Sequence, residues 1–180
     1  MQLIELPAAW LVLTDIAAWA VLHLSVSLFL FFLPGHFFAR TSFLTRIRGW
    51  EKGGETWQRL LRVKSWKDRL PDGNSVLGIG FQKKQLLSAH PDDLDEFVLE
   101  SRRAEWTHWL LIPPSLLFFL WNPPWAGWMM IVYALAANLP FIFIQRYNRP
   151  RIERLITRKN NAAENLPVMC HVKAKRQGTL

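Results

Sequence analysis

The chain has 180 residues, of which 51% are hydrophobic, and it carries 10 Trp, 12 Phe and a formal net charge of +8. This length indicates one domain, and the apolar residues stand together in blocks, as they do in membrane proteins. The single cysteine, Cys170, excludes an internal disulfide and argues against a thiol acyl-enzyme. A basic chain rich in aromatic residues is also typical of nucleic-acid binding, but no such motif is present, so we expect no nucleic acid among its partners.

The first predicted element is a membrane helix over residues 7–33. This run of roughly 27 residues would be about 40 Å long as a helix, which is enough to cross a bilayer with some tilt. It is too long for the core of a signal peptide, and no Lys or Arg precedes it, so we expect it to remain in the protein. Pro34 and Gly35 end it.

The basic residues that follow predict the orientation of the chain. No Lys or Arg occurs before Arg40, whereas 13 lie between residues 35 and 105 and 9 lie between residues 146 and 180. Because basic residues that flank membrane spans mark the cytoplasmic side, we expect the N-terminus outside and the C-terminus inside. Residues 35–105 would form a cytoplasmic, interfacial segment, in which residues 55–69 have the pattern of an amphipathic helix.

Two further spans are predicted over residues 106–121 and 125–144. The helix that enters the first of them begins at Pro91, where a proline precedes acidic residues in the first turn, and nothing interrupts it before the proline pair at 113–114. Its strictly apolar part, residues 109–121, would be roughly 20 Å long as a helix, which is shorter than the bilayer core of about 30 Å. We therefore expect the polar residues just before it to be drawn toward membrane depth.

The expected fold class is an all-α integral membrane protein. It would have about three transmembrane helices, cytoplasmic interfacial amphipathic helices and a cytoplasmic tail over residues 146–180. Together these elements would form one membrane domain over residues 1–180.

Two arginine-rich boxes, residues 100–109 and 145–151, bracket the last apolar stretch and would both reach the cytoplasmic surface. In the first box Glu105 and His108 are one helical turn apart, so the carboxylate can orient the imidazole as a general base toward a substrate hydroxyl. Ser101 is two turns from His108, roughly 10 Å along the axis, which is too far for a Ser–His nucleophile pair.

Other interpretations of the first box remain open. Glu105 can instead pair with Arg102 at an interfacial helix end, which would leave His108 without a catalytic role. A Glu-x-x-His pair also occurs in di-iron bundles, but these need four carboxylates and a second such pair, so we expect no metal site.

The second box carries three arginines among polar residues and no lysine. Arginine binds carboxylate and phosphate groups through bidentate contacts, so this box is a candidate for binding the substrate or an acyl donor. A simple positive-inside anchor is the alternative. The predicted binding residues are Arg102, Arg103, Gln145, Arg146, Tyr147, Asn148, Arg149 and Arg151, and the secondary candidates are Glu100, Lys67, Asp68 and Asn138.

Four motifs carry a family resemblance. They are Trp66-Lys67 with Asp72-Gly73, the box from Glu100 to Trp109, Asn138 with Pro140, and the box from Gln145 to Arg151. With these motifs the chain resembles the glycosyl-4,4'-diaponeurosporenoate acyltransferase family of bacterial carotenoid synthesis, over roughly residues 35–155.

The resemblance implies an enzyme of the bacterial cell membrane that acts in the last step of staphyloxanthin-type pigment synthesis. It would esterify a fatty acyl group onto the glucose 6-hydroxyl of a glycosylated C30 carotenoid acid. The implied co-substrate is an acyl thioester of coenzyme A or of a carrier protein, without a bound cofactor. The residues leave open an acyltransferase for another glycolipid, a non-enzymatic scaffold that binds a glycolipid, and a homodimer or an association with other pigment enzymes.

Overall fold

The computed structural model describes residues 7–70 and 91–177, without the side chains of residues 91, 92 and 162–177. Asp72 and Gly73 therefore lie outside the described residues. No strand occurs in the described ranges, which confirms the all-α prediction. The elements in chain order are α1 (Ala8–Phe32), α2 (His36–Ala39), a 3₁₀ helix (Gly49–Gly54), α3 (Glu55–Leu61), α4 (Val63–Trp66), a 3₁₀ helix (Lys67–Arg69), α5 (Pro91–Leu111), a 3₁₀ helix (Pro113–Leu120) and α6 (Pro124–Gln177).

The chain divides into two compact units. Unit 1 comprises Met1–Arg48 with Leu99–Arg146, and unit 2 comprises Gly49–Val98 with Tyr147–Leu180. Helices α5 and α6 each contribute residues to both units. The assignment of residues 1–180 to one membrane domain stays a prediction.

Within the described part of the chain, two helices are long and apolar enough to cross a membrane, namely Ala8–Phe32 and the Pro124–Asn161 part of α6. Many of their large apolar side chains are exposed, among them Trp10 at 62%, Phe32 at 76% and Trp125 at 72%. Apolar surface of this extent is unfavourable in water and favourable against lipid. These helices indicate that the protein associates with a membrane.

The third predicted span, over residues 106–121, is not one continuous α-helix. Helix α5 ends at Leu111, and a 3₁₀ helix follows from Pro113 to Leu120. The proline pair explains the break, because proline has no backbone N–H and its ring clashes with the preceding turn of an α-helix.

The predicted amphipathic helix over residues 55–69 is also not one helix. Arg62 has φ 48°, in the left-handed region, and it separates α3 from α4. Nearby hydrogen bonds compensate for this conformation: the Lys64 backbone N–H donates to Gln58 Oε1 at 2.9 Å, and the Trp66 indole donates to the Leu61 carbonyl at 2.7 Å. The break between α3 and α4 therefore depends on side-chain hydrogen bonds, which cannot be predicted from the spacing of apolar residues.

The core of unit 1 forms where α1 packs on α6 and on the 3₁₀ helix before it. Trp19 of α1 stacks on Phe118 with ring centroids 4.8 Å apart, and both residues pack with Ala134 of α6. Close to this core, the Asp15 carboxylate accepts hydrogen bonds from the Trp121 indole at 2.8 Å and from the Asn122 amide at 2.7 Å. The carboxylate thus ties α1 to the turn that precedes α6.

The core of unit 2 is smaller. Leu94 and Val98 of α5 and Ile152 of α6 are buried together, and Phe97 and Ile156 pack against them. This contact joins the first turns of α5 to the part of α6 that follows the second arginine-rich box. It thereby holds the box residues from Tyr147 onward in a defined register.

Candidate functional site

Glu105 and Arg146 form a buried ion pair in unit 1. The carboxylate Oε1 and the guanidinium nitrogen are 2.6 Å apart, and the two side chains are 0% and 7% exposed. The Trp109 indole also donates to this carboxylate, at 3.3 Å. Arg146 donates further to the backbone carbonyls of Leu44, at 2.7 Å, and Arg46, at 3.0 Å. The pair therefore fastens α5 and α6 to the segment that follows α2.

Arg102 and Arg103 also bind backbone carbonyls. Arg102 donates to the Ala39 carbonyl at 2.7 Å and to the Phe38 carbonyl at 3.3 Å. Arg103 pairs with Glu100, contacts the Leu33 carbonyl and lies over the Phe38 ring with its guanidinium carbon 5.0 Å from the centroid. Both guanidinium groups thus hold the polypeptide that leaves α1.

The His108 imidazole is held by Asn138 and not by Glu105. Its Nδ1 and the Asn138 Oδ1 are 3.0 Å apart, and the ring stacks on Phe141 with centroids 4.7 Å apart and an interplanar angle of 8°. The prediction that Glu105 orients the imidazole is therefore corrected, because the Glu105 carboxylate binds Arg146 and Trp109 instead. Asn138, a secondary candidate in the sequence, takes this place.

The orientation of the Asn138 amide defines the histidine tautomer. Its Nδ2 donates to the Ala134 carbonyl one turn earlier, at 2.8 Å, so its Oδ1 must be the atom that faces His108. An oxygen accepts a hydrogen bond, and His108 Nδ1 is therefore the donor. In the neutral ring the basic lone pair then lies on Nε2. Among the residues that the structure describes, none is hydrogen-bonded to Nε2.

Ser101 is buried in the same unit and does not approach His108. Its hydroxyl donates to Gln145 Oε1 at 2.8 Å, which links the N-terminal ends of the two boxes. Gln145, a predicted binding residue, is thus engaged by the protein through its carbonyl oxygen.

The remaining box residues belong to unit 2, where two cations flank the buried ring of Tyr147. The Arg151 guanidinium carbon lies 3.6 Å from the ring centroid and the Lys67 Nζ lies 5.1 Å from it. Lys67 also donates to Asn148 Oδ1 at 3.0 Å. The structure therefore brings the Trp66-Lys67 motif and the Tyr147-Asn148 part of the second box together. Arg149 is buried, at 1% exposed, and Asp68 is exposed in the same unit.

Sequence reasoning missed two features of unit 2. Glu51 is fully buried and accepts a hydrogen bond from the Trp57 indole at 2.7 Å. Arg154 donates to the Gly53 carbonyl at 2.8 Å. Neither residue belongs to a box, and the only signal in the sequence was the glycine pair at 53–54, which favours a left-handed turn. In the described ranges no group of three His, Cys, Asp or Glu side chains could hold a metal ion.

Comparisons with known proteins extend this description. A family model described as glycosyl-4,4'-diaponeurosporenoate acyltransferase matches residues 34–158. The chain belongs to this family. It is 35% identical over 137 residues to a protein of that name from Staphylococcus haemolyticus, covering 76% of this chain and 80% of the relative. It is 29% identical over 138 residues to one from Staphylococcus aureus strain USA300, covering 77% and 83%.

Membership of the acyltransferase family confirms the resemblance in the two boxes. The matched residues include all of the predicted site residues and leave out the whole of α1 and the end of the chain. The protein is therefore an enzyme that transfers acyl groups. No solved structure matches the chain.

Proposed function

We propose that the protein esterifies a fatty acyl group onto the sugar 6-hydroxyl of a glycosylated C30 carotenoid acid, as the final step of staphyloxanthin-type pigment synthesis. The name of its relatives supports the acceptor, because that name specifies a glycosyl-4,4'-diaponeurosporenoate. The 6-hydroxyl is the primary alcohol of a hexose and the least hindered one. The donor in this proposal is an acyl thioester.

The observation that carries the mechanism is the hydrogen bond between His108 and Asn138. It leaves the basic lone pair on Nε2, which can take the proton of the sugar hydroxyl. The alkoxide oxygen then attacks the thioester carbonyl, and a tetrahedral intermediate forms. When this intermediate collapses, the carbon–sulfur bond breaks and the thiolate takes the proton back from the His108 imidazolium. An ester and a free thiol result, and His108 is neutral again.

Asn138 and Phe141 are positioning residues in this mechanism. Asn138 selects the tautomer, and Phe141 restricts rotation of the imidazole by stacking on it. Glu105 takes a different role from the predicted one, since its pairing with Arg146 supports the fold around α5 and α6. The binding of a substrate or donor by Tyr147 and Asn148 stays a prediction.

We also propose that the chain crosses the membrane three times, with its N-terminus outside and its boxes on the cytoplasmic side. Arg103 contacts the carbonyl of Leu33 just beyond the end of α1, whereas Trp121 donates to Asp15 near the beginning of α1. The segment between Arg103 and Trp121 thus runs antiparallel to 18 residues of α1, or about 27 Å.

The 3₁₀ helix explains how so short an apolar segment reaches that far. A 3₁₀ helix rises about 2.0 Å per residue and an α-helix 1.5 Å, so Pro113–Leu120 extends roughly 16 Å where an α-helix would extend roughly 12 Å. This supports a crossing by the end of α5 and the 3₁₀ helix together. The orientation is supported by the distribution of basic residues, because none precedes α1 and all of them lie in residues 35–105 and 146–180, which this topology places on the cytoplasmic side.

Ester formation in membranes that contain the full chain tests the proposal. We expect His108→Ala to lower the turnover number about 10²- to 10⁴-fold at unchanged protein abundance, because a general base contributes a factor of this size. Thr107→Val is the matched control, since among the described residues the Thr107 hydroxyl bonds only to the Arg103 carbonyl of its own helix. Full ester formation by His108→Ala would refute the catalytic assignment. A scaffold would instead lose pigment only in proportion to protein abundance.

A further inference from the structure

Unit 2 contains a cavity of about 300 Å³ that is lined by Glu55, Arg151, Arg154, Leu155 and Arg158. Four of these residues lie on α6 at spacings of three, four and seven positions, so they share one helix face. Arg154 and Arg158 are not part of either box. The cavity size is at the lower end of the range for small-molecule sites.

Two of the three guanidinium groups are fixed by the protein. Arg154 donates from Nε to the Pro150 carbonyl at 3.1 Å and from a terminal nitrogen to the Gly53 carbonyl at 2.8 Å. Arg151 lies over the Tyr147 ring and donates to the Tyr147 carbonyl. These anchors lower the conformational entropy that each side chain loses when it binds a ligand.

Arg158 differs from the other two arginines. It is exposed and makes no hydrogen bond or ion pair with another described residue. Two guanidinium groups with protein partners and one without a described partner lie on the same face, so the site is largely preformed and its third arginine is available to an anion.

The side chains of the cavity define the chemistry of its ligand. Three guanidinium groups against one carboxylate give a net positive charge, and planar guanidinium groups bind phosphate through paired hydrogen bonds. Glu55 repels a bare phosphate but can accept a hydrogen bond from the exocyclic amino group of a base, and Leu155 offers an apolar contact. Arg102, Arg103 and Arg146, which were predicted to bind the substrate or the donor, are instead engaged with carbonyls or carboxylates of unit 1.

We propose that this cavity binds the phosphate-bearing nucleotide of an acyl-coenzyme A donor. The inference rests on the proposed acyl transfer and adds the identity of the donor and the residues that hold it. The cavity takes the nucleotide end, and the thioester and its acyl chain remain outside it.

The experiment compares two donors in membranes of the full chain: an acyl-coenzyme A and the matching acyl-pantetheine, which lacks the nucleotide. We expect Arg154→Ala to raise the KM for acyl-coenzyme A roughly tenfold or more, and Arg158→Ala roughly three- to tenfold, at unchanged kcat. Neither variant should change the KM for acyl-pantetheine. Arg158→Ala keeps the test valid if Arg154→Ala does not fold, because Arg158 holds no other described residue.

Arg59→Ala is the matched control, because Arg59 is an exposed arginine of unit 2 that does not line the cavity. It removes the same charge and should leave both KM values unchanged. The assays are made in phosphatidylcholine vesicles and repeated with phosphatidylglycerol. An effect that appears only with the anionic lipid would assign the cavity to a lipid phosphate and overturn the inference.

Two further results would also overturn it. One is an unchanged KM for acyl-coenzyme A in both arginine variants, and the other is turnover with an acyl carrier protein but not with acyl-coenzyme A. In each case ester formation itself persists, so the acyl transfer proposal survives. Absence of ester with every donor would instead refute the proposed function.

Discussion

Replacement of Asn138 by leucine removes the group that orients the His108 imidazole. Leucine has the same number and branching of side-chain heavy atoms as asparagine but no acceptor for the His108 Nδ1 proton. The Asn138 side chain is 2% exposed, so we expect water not to take its place. In this variant the Ala134 carbonyl loses the hydrogen bond from the side-chain amide of residue 138. It keeps the regular helical hydrogen bond from the backbone N–H of the same residue.

The size of the effect follows from the unsatisfied donor. A buried donor without an acceptor costs about 1–3 kcal/mol, and the ring can escape this cost by rotating or by moving its proton to Nε2. Both responses remove the productive base. If the productive tautomer becomes less favourable by 1–3 kcal/mol relative to the other arrangements of the ring, its population and therefore kcat fall roughly 5- to 150-fold.

Steady-state ester formation with varied acceptor and varied donor measures this effect. We expect Asn138→Leu to lower kcat with both KM values nearly unchanged, because the imidazole and not the binding of either substrate is affected. Asn138→Asp retains an acceptor for Nδ1 and should recover most of the rate. If Asn138→Leu keeps the wild-type kcat, or if Asn138→Asp is no better than Asn138→Leu at equal abundance, the tautomer argument is wrong.

Three further predictions concern stability, each measured as the midpoint of thermal unfolding in detergent. Glu105→Leu should destabilise the protein by about 3–5 kcal/mol, because Arg146 is left buried without its carboxylate. Adding Arg146→Met should recover part of the lost stability. Equal stability of Glu105→Leu and wild type would contradict the buried pair. Asp15→Leu removes the acceptor of the Trp121 and Asn122 donors and should destabilise the protein by about 1–3 kcal/mol for each donor. Asp15→Asn keeps an acceptor oxygen and should destabilise it less. Equal stability of the two variants would argue against this link. Gly53→Ala should destabilise the protein by about 1–2 kcal/mol, because Gly53 has φ +61° and a Cβ there would lie 3.1 Å from the Arg154 guanidinium. Gly49→Ala should be neutral, because the space around Gly49 is open. A neutral Gly53→Ala would contradict the left-handed turn.

Local features of the chain were predictable from the sequence. The predicted helix over residues 7–33 corresponds to α1 at Ala8–Phe32, and the predicted helix start at Pro91 corresponds to the first residue of α5. An apolar run and a proline followed by acids act within one or two turns, so neither depends on distant contacts. The length of α6 was underestimated, since it continues past Ile144 to Gln177.

Partners that are distant in sequence could not be predicted. Asn138 is 30 residues from His108 and Arg146 is 41 residues from Glu105, whereas the helical spacing of Glu105 and His108 suggested a local pair. Arginine uses the same N–H donors to bind a backbone carbonyl, a carboxylate or a phosphate. An arginine-rich sequence therefore does not predict which of these acceptors each arginine binds. Tertiary packing decided that Arg102 and Arg146 hold the segment after α1, and that the lining of the unit 2 cavity includes Arg154 and Arg158.

Mass spectrometry of the carotenoids in a bacterial host that makes the glycosylated C30 acid tests the central claim most directly. With the wild-type chain we predict that the precursor is converted to a species heavier by one fatty acid less one water, with the ester on the sugar 6-hydroxyl. His108→Ala at equal abundance should leave the precursor nearly unconverted. An unchanged precursor with the wild-type chain, or equal ester with His108→Ala, would contradict the account.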